Sequence, residues 1–281
     1  MASWLSGIVT AGVTLLAATT AFADCGNKDG NKTSGNVIVV GLAADQHLVV
    51  FRECQPRQVR DQGLVTGLSG SDTSIIGIDY RVQDGRLYGV GNQGGIYAID
   101  PETASATLVS QLTVTLAGNS FGVDFNPAAD RLRIISDTGQ NLRHNVDTGG
   151  TTIVDTPLGY TAGVTATGLT GAAYVNNDLD ANTGTTLFDI DASLDQVAIQ
   201  SPPNAGSLVA AGRVTVDVDT AVGFDIYTSL EDGVAVDNRG YAALTVGGVS
   251  GFYSVNLFTG RALLIGVFPR SVVDIAVPLQ R

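Results

Sequence analysis

The sharpest chemical spacing in the chain lies in a short acidic loop. Asp178-Leu179-Asp180-Ala181-Asn182-Thr183-Gly184 sets oxygen-bearing side chains at positions 1, 3 and 5, the spacing by which a turning loop wraps a hard cation. A Ca2+ ion there would take Asp178, Asp180, Asn182 and the Gly184 carbonyl, with Asn176, Asn177 or Asp189 as further ligands. Gly184 stands at position 7 rather than 6, Thr186 occupies the ninth position, and only two carboxylates are certain. Affinity is therefore expected in the weak extracellular range, ~10⁻⁴–10⁻³ M. Asn- and Asp-rich turns also form without metal, and a solvated turn is the plainer reading of this composition.

A second cluster is basic. Arg131 and Arg133 are two residues apart on an expected strand and so share a face; Arg143 on the partner strand joins them across Asp137-Thr138-Gly139. Three guanidiniums in an acidic chain point to a structural network with Asp79, Asp124, Asp130 and Asp137, or to a site for an anion or carboxylate. The network is the plainer reading. Asp79, Asp124, Asp225 and Asp274 recur in similar short strands, which suggests a hydrogen-bonding position of a repeat. Convergence of several on a central channel would instead suggest a cation or sugar site.

Other matches lack the context their chemistry needs. Gly89-Val90-Gly91-Asn92-Gln93-Gly94 fits G-x-G-x-x-G, yet Ile96-Tyr97-Ala98-Ile99 follows as a strand where a dinucleotide site needs a helix N-terminus. Gly118-Asn119-Ser120-Phe121-Gly122 fits G-x-S-x-G, but a nucleophile elbow needs strand, turn and helix, and a strand follows. His47 and His144 are the only histidines and lie far apart, too few for a zinc cluster. Cys25 and Cys54 are the only cysteines; in an exported chain an even pair reads as a disulfide, contributing about 3–4 kcal/mol in the chain-entropy model.

These residues must be positioned by strands. Among 281 residues, 35 are Gly and only 15% are charged, against 44% hydrophobic. That composition suits an all-β chain with many tight turns and a real core. The formal charge of −12, with 15 Lys+Arg, excludes a nucleic-acid footprint. Leu5 to Ala18 is apolar and uncharged, and Ala21-Phe22-Ala23 follows as a small-x-small site. Residues 1–23 are therefore expected to be a secretory signal peptide, 24–36 a polar N-terminal tail and 37–281 the folded domain. The exported chain would be secreted or periplasmic and have no membrane span. The single Trp, Trp4, would leave with the leader, which weakens a carbohydrate-binding reading, although Tyr and Phe remain.

The domain repeats. Ile76-Gly77-Ile78-Asp79-Tyr80 recurs as Phe121-Gly122-Val123-Asp124-Phe125 and Val222-Gly223-Phe224-Asp225-Ile226, with Thr170-Gly171-Ala172-Ala173-Tyr174 as a weaker copy and Val273-Asp274-Ile275-Ala276 as a fragment. Each full copy leads into further short strands. Four strands in roughly 45 residues is the unit of a β-propeller. Strands near Val37–Leu42, Leu48–Phe51 and Val59 lack a leading strand, and 271–277 is a leading strand with nothing after it. Their pairing would complete a fifth blade from both chain ends, with six blades or a β-sandwich as the alternatives.

The run Asp124-Phe125-Asn126-Pro127-Ala128-Ala129-Asp130-Arg131-Leu132-Arg133, continued by Ser136-Asp137-Thr138-Gly139-Gln140-Asn141-Leu142-Arg143, resembles the bacterial exported family called domain of unknown function 4394. Ala173-Tyr174-Val175-Asn176-Asn177, Leu187-Phe188-Asp189-Ile190-Asp191, Pro203-Asn204-Ala205-Gly206-Ser207-Leu208 and Gly223-Phe224-Asp225-Ile226 carry the resemblance further, over about 37–277. It implies propeller-like repeats in a secreted bacterial protein and brings no catalytic residues. His144 stands where the family pattern suggests an aliphatic residue.

Two functions of different class follow. One is a non-enzymatic binding or structural module for an extracellular protein, glycan or surface component. The other is a hydrolase or lyase working through channel carboxylates. No pair of acids is singled out by spacing, which favours the module.

Overall fold

The computed structural model describes residues 37–280. The expected leader, the polar tail and Cys25 lie outside the described residues. Twenty strands form five four-stranded antiparallel sheets. Blade 1 takes β20 (Val272–Ala276), β1 (Ile38–Ala43), β2 (His47–Arg52) and β3 (Arg60–Leu64) in that order. Blade 2 holds β4 (Ile75–Tyr80), β5 (Leu87–Gly91), β6 (Gly95–Ile99) and β7 (Ala106–Gln111). Blade 3 holds β8 (Phe121–Asn126), β9 (Arg131–Ser136), β10 (Asn141–His144) and β11 (Thr152–Val154). Blade 4 holds β12 (Leu169–Tyr174), β13 (Leu187–Asp191), β14 (Gln196–Gln200) and β15 (Leu208–Arg213). Blade 5 holds β16 (Val222–Glu231), β17 (Val234–Val246), β18 (Val249–Val255) and β19 (Ala262–Val267).

This is a five-bladed propeller, and the ring closes as the repeat requires. β20 pairs antiparallel with β1, Val40 opposite Ala276 and Leu42 opposite Asp274, so the last strand supplies the inner strand that blade 1 lacks. Five apolar clusters hold the ring, one between each pair of neighbouring blades. They differ in size: sixteen buried apolar residues lie between blades 4 and 5 but only eight between blades 3 and 4.

The inner strands β4, β8, β12, β16 and β20 face one another at the narrow axis. Each is covered on both faces, so the sequence there shows no in–out alternation. The recurring glycine follows from the crowding. A β-carbon on Gly122 would lie 2.7 Å from the Ala172 backbone nitrogen of the next blade, and one on Gly223 would meet the Asp274 backbone. Backbone cannot yield as a side chain can. Gly122→Ala should therefore destabilise the propeller by about 1–3 kcal/mol, the usual range for overpacking. Chemical denaturation checks this, and an unchanged midpoint would show that the blades are not in contact there.

Candidate functional site

An inner strand of a propeller has one edge in its sheet and the other on the axis, where its N–H groups have no strand partner. A buried N–H left without an acceptor costs about 1–3 kcal/mol. The recurring aspartates supply the acceptors. Asp79 of blade 2 accepts from Phe125 N of blade 3 at 2.7 Å. Asp124 of blade 3 accepts from Tyr174 N of blade 4 at 3.0 Å. Asp225 of blade 5 accepts from Val277 N of blade 1 at 2.5 Å. Asp274 of blade 1 accepts from Ile78 N of blade 2 at 2.7 Å. Four of the five blade junctions are thus bridged by an axial carboxylate.

The register corrects one sequence alignment. Val277 answers to Phe125 and Tyr174 as the capped residue, so Ala276, not Asp274, holds the repeat's aspartate position. Asp274 stands where the other blades have glycine, which is why its carboxylate reaches Ile78 N, two residues earlier along β4 than the matching cap would be. Ala173 also holds an aspartate position. The junction it leaves without an axial carboxylate, between blades 4 and 5, has the largest apolar cluster, and there Asp225 folds back on its own neighbour, Ile226 N, at 2.5 Å.

The capping carboxylates converge. One oxygen each from Asp79, Asp124 and Asp225 lies within 4.8 Å of the others, and all three residues are buried. Hard cations bind oxygens at about 2.3–2.6 Å, so ligands on opposite sides lie up to about 5 Å apart; the trio has the span to surround one such ion or to share protons. Burial, with repulsion from Asp225 and Asp274, holds Asp79 well above the usual carboxylate range. Burial and the charges of Asp79, Asp225 and Asp274 do the same to Asp124, and burial dominates at Asp274. Burial pushes Asp225 up to about 7.

The arginines divide. Arg133 is buried between blades 3 and 4, where its Nη1 donates to Asp155 Oδ2 and Asn141 Oδ1, both at 2.7 Å, and its Nη2 donates to Asn204 Oδ1 at 2.7 Å. Arg143 Nε donates to the other Asp155 oxygen at 3.1 Å. Arg131 does not join them; its Nη1 donates to the Asp130 carbonyl at 2.7 Å, while the Asp130 side chain pairs with Arg81. The acid at the centre is Asp155, a residue outside the four proposed from spacing. The same seam buries Asp189 on β13, whose oxygens accept no hydrogen bond from the protein and whose carboxyl burial holds well above its ordinary range.

The acidic loop folds onto backbone. Asp178 is buried, its Oδ1 accepting Asp180 N at 2.9 Å and its Oδ2 accepting Ala235 N at 2.8 Å. Asp180 Oδ1 accepts both Asn182 N and Asn182 Nδ2, and Gly184 O accepts from Asn176 Nδ2 at 2.7 Å. The loop therefore anchors the long β16–β17 hairpin through Ala235. Among the described residues, acids converge tightly on one point at Asp79, Asp124 and Asp225. Beside that hairpin, a cavity of about 480 Å³ opens at one end of the ring, lined by Val82, Gln83, Leu179, Leu230, Leu279 and Gln280 among others. Cys54 is half-buried in the turn after β2; its expected partner Cys25 is outside the described residues.

One contact was not anticipated from spacing. Ser110 Oγ lies 2.8 Å from His144 Nε2, with Thr152 Oγ1 3.0 Å from Nδ1. The pair resembles a nucleophile and its base, but His144 is fully buried, burial holds its pKa down to about 4, and a threonine replaces the orienting acid. It ties β7 of blade 2 to β10 of blade 3.

The axial acids set a pH dependence. A carboxyl whose folded pKa is raised stabilises the fold fully below its unfolded pKa, near 4, and loses that contribution as pH rises through the folded value. Stability should fall from about pH 4, where the unfolded carboxyl ionises, to about pH 7, where Asp225 titrates in the folded chain. Asp225→Asn, which keeps an accepting oxygen without the charge, should flatten the profile. Thermal unfolding across pH checks this; a melting temperature that rises from pH 5 to pH 8 would contradict it.

Solved structures resemble this fold only distantly. An auxiliary nutrient binding protein from Bacteroides thetaiotaomicron matches with 14% identity and a TM-score of 0.42, covering 74% of this chain and 56% of that one. A protein of unknown function from the same organism matches with 14% identity and a TM-score of 0.46, covering 89% and 66%. TolB from Acinetobacter baumannii matches with 11% identity and a TM-score of 0.44, covering 89% and 68%. The chain spans little more than half the length of the nutrient-binding proteins it matches, and at these scores the likeness says nothing of what it binds. No curated protein matches the chain. The sequence itself is decisive at the family level: residues 47–276 match the family described as Domain of unknown function (DUF4394), and the chain belongs to that family.

Proposed function

We propose that the chain is a secreted or periplasmic binding module without catalytic activity. The observation that supports it most is the orientation of the axial carboxylates. Acid–base hydrolysis needs one carboxyl to donate a proton and another to accept one at a substrate held between them. Here Asp79, Asp124, Asp225 and Asp274 are buried and each accepts from a backbone N–H of the next blade. Turning one toward a substrate would strand that N–H. The buried Ser110–His144 contact offers no better start, because a base held near pKa 4 takes a proton poorly at neutral pH.

What remains open is surface suited to contact. The cavity beside the β16–β17 hairpin sets Val82, Leu179, Leu230 and Leu279 beside the polar Gln83, Asn177, Asp178 and Gln280. A larger cavity of about 830 Å³ lies against β17, β18 and the turn into β19. A rigid ring presenting concave surfaces matches the usual arrangement of ligand sites on scaffolds.

Incubation of the full chain with pectin, alginate, β-glucan and peptidoglycan tests this, scoring co-sedimentation or retention together with released reducing ends and unsaturated products. The expected result is saturable binding to at least one with no product. Turnover that falls in Asp124→Asn would overturn the reading in favour of a carboxylate-based hydrolase or lyase.

A further inference from the structure

We propose that the larger cavity, on blade 5, is a binding site for a carboxylate-bearing sugar, a uronic acid unit of an acidic glycan; this rests on the binding-module reading above. The strand register places the groups. Tyr227 lies opposite Arg239, Tyr241 opposite Ser254 and Ser254 opposite Leu263. Just beyond these pairs, Arg239 of β17 is followed by Asn256 and Arg261, which flank the β18–β19 turn and are joined by an Asn256 N–H···O=C Arg261 bond at 3.0 Å. All three residues line the same cavity.

The three side chains are not equally committed. Arg239 stacks over the Tyr227 ring at 4.8 Å and lies 3.7 Å from Glu53 Oε2, which accepts the Tyr241 hydroxyl at 2.5 Å. These contacts hold its charge at the groove wall. Asn256 Oδ1 accepts Phe258 N at 3.1 Å and Thr259 N at 2.9 Å, which leaves its Nδ2 as a donor. Arg261 is exposed, and its guanidinium meets no carboxylate among the described residues, in a chain of formal charge −12. A planar fork with open donors is the group that binds a carboxylate by two parallel hydrogen bonds.

The fourth part is aromatic. Phe258 is 71% exposed, the most exposed large hydrophobic residue described, and it lines the same cavity. Its ring is held edge-on against Phe188, centroids 5.8 Å apart, so ordering it costs little on binding. A uronate has one anionic group, hydroxyls and an apolar ring face. Arg261, Asn256 and Phe258 answer to these three features in turn, with Arg239 adding charge. A neutral sugar would leave the Arg261 guanidinium without a carboxylate, and a small inorganic anion would leave Phe258 bare.

Calorimetry of the full chain with tri-galacturonate and with its methyl ester tests the assignment. Binding of the free acid is expected, at least tenfold weaker for the methyl ester, at least tenfold weaker in Arg261→Ala, partly restored in Arg261→Lys, and weaker in Phe258→Ala, with melting temperatures unchanged because both residues are exposed. Higher salt should weaken the acid and not the ester. No heat at millimolar acid, equal affinity for the ester, or undiminished binding by Arg261→Ala would overturn the site while leaving a binding module with a ligand elsewhere. Release of unsaturated or shortened product would overturn the non-enzymatic reading, and the Arg261→Ala titration would still decide the groove.

Discussion

The fold depends on one constraint: five strands meet at an axis with their outer hydrogen bonds unmade. Strand edges are usually left to water or paired with a neighbour. At a narrow, covered axis neither is available, and a buried amide without an acceptor is costly. An aspartate is the shortest side chain that can reach from one inner strand to the next while bringing two acceptor oxygens. The repeat Gly-x-Asp states both needs at once, a glycine where the next blade's backbone comes too close for a β-carbon and an acid where its N–H must be capped.

That solution has a consequence in charge. Four carboxylates are buried close together, and the charges acting most strongly on them are one another's. Protons then relieve the repulsion. The two blades with alanine in the aspartate position, at Ala173 and Ala276, reduce the crowding. Where Ala173 leaves a junction without an axial carboxylate, sixteen buried apolar residues pack and Asp178 accepts Ala235 N across it. Between blades 3 and 4, where the apolar cluster is smallest, the Arg133–Asp155 pair and its amide partners fill the seam instead.

Much of this is legible in the sequence because repetition reports geometry directly. The recurrence from Ile76 to Val222 marks the inner strands of the blades, and 271–277 carries the same pattern as a leading strand, which pairs with β1 to close the ring. What spacing could not reveal were partners distant in sequence. Asp155 answers Arg133 from beyond a loop, Asn204 answers it from the next blade, and Ser110 meets His144 across a blade junction. Asp274 was misaligned because composition at the axis is conservative while register is not: a two-residue offset still delivers a carboxylate to an amide. Asp178 had the spacing of a cation loop, yet both its oxygens meet backbone N–H groups, one of them from the β16–β17 hairpin, a contact that only the folded ring supplies. Arg239, Asn256 and Arg261 come together from β17 and from the β18–β19 turn and have no signature along the chain.

The central claim is that single aspartates cap single amides around the axis. Hydrogen exchange of the Tyr174 amide, measured by NMR in the native protein and in Asp124→Ala under conditions where both are folded, tests it most directly. The account predicts slow, globally limited exchange of Tyr174 in the native chain and much faster exchange in the variant, with the Phe125 amide, capped by Asp79, still protected. Equal protection of Tyr174 in both proteins would contradict it.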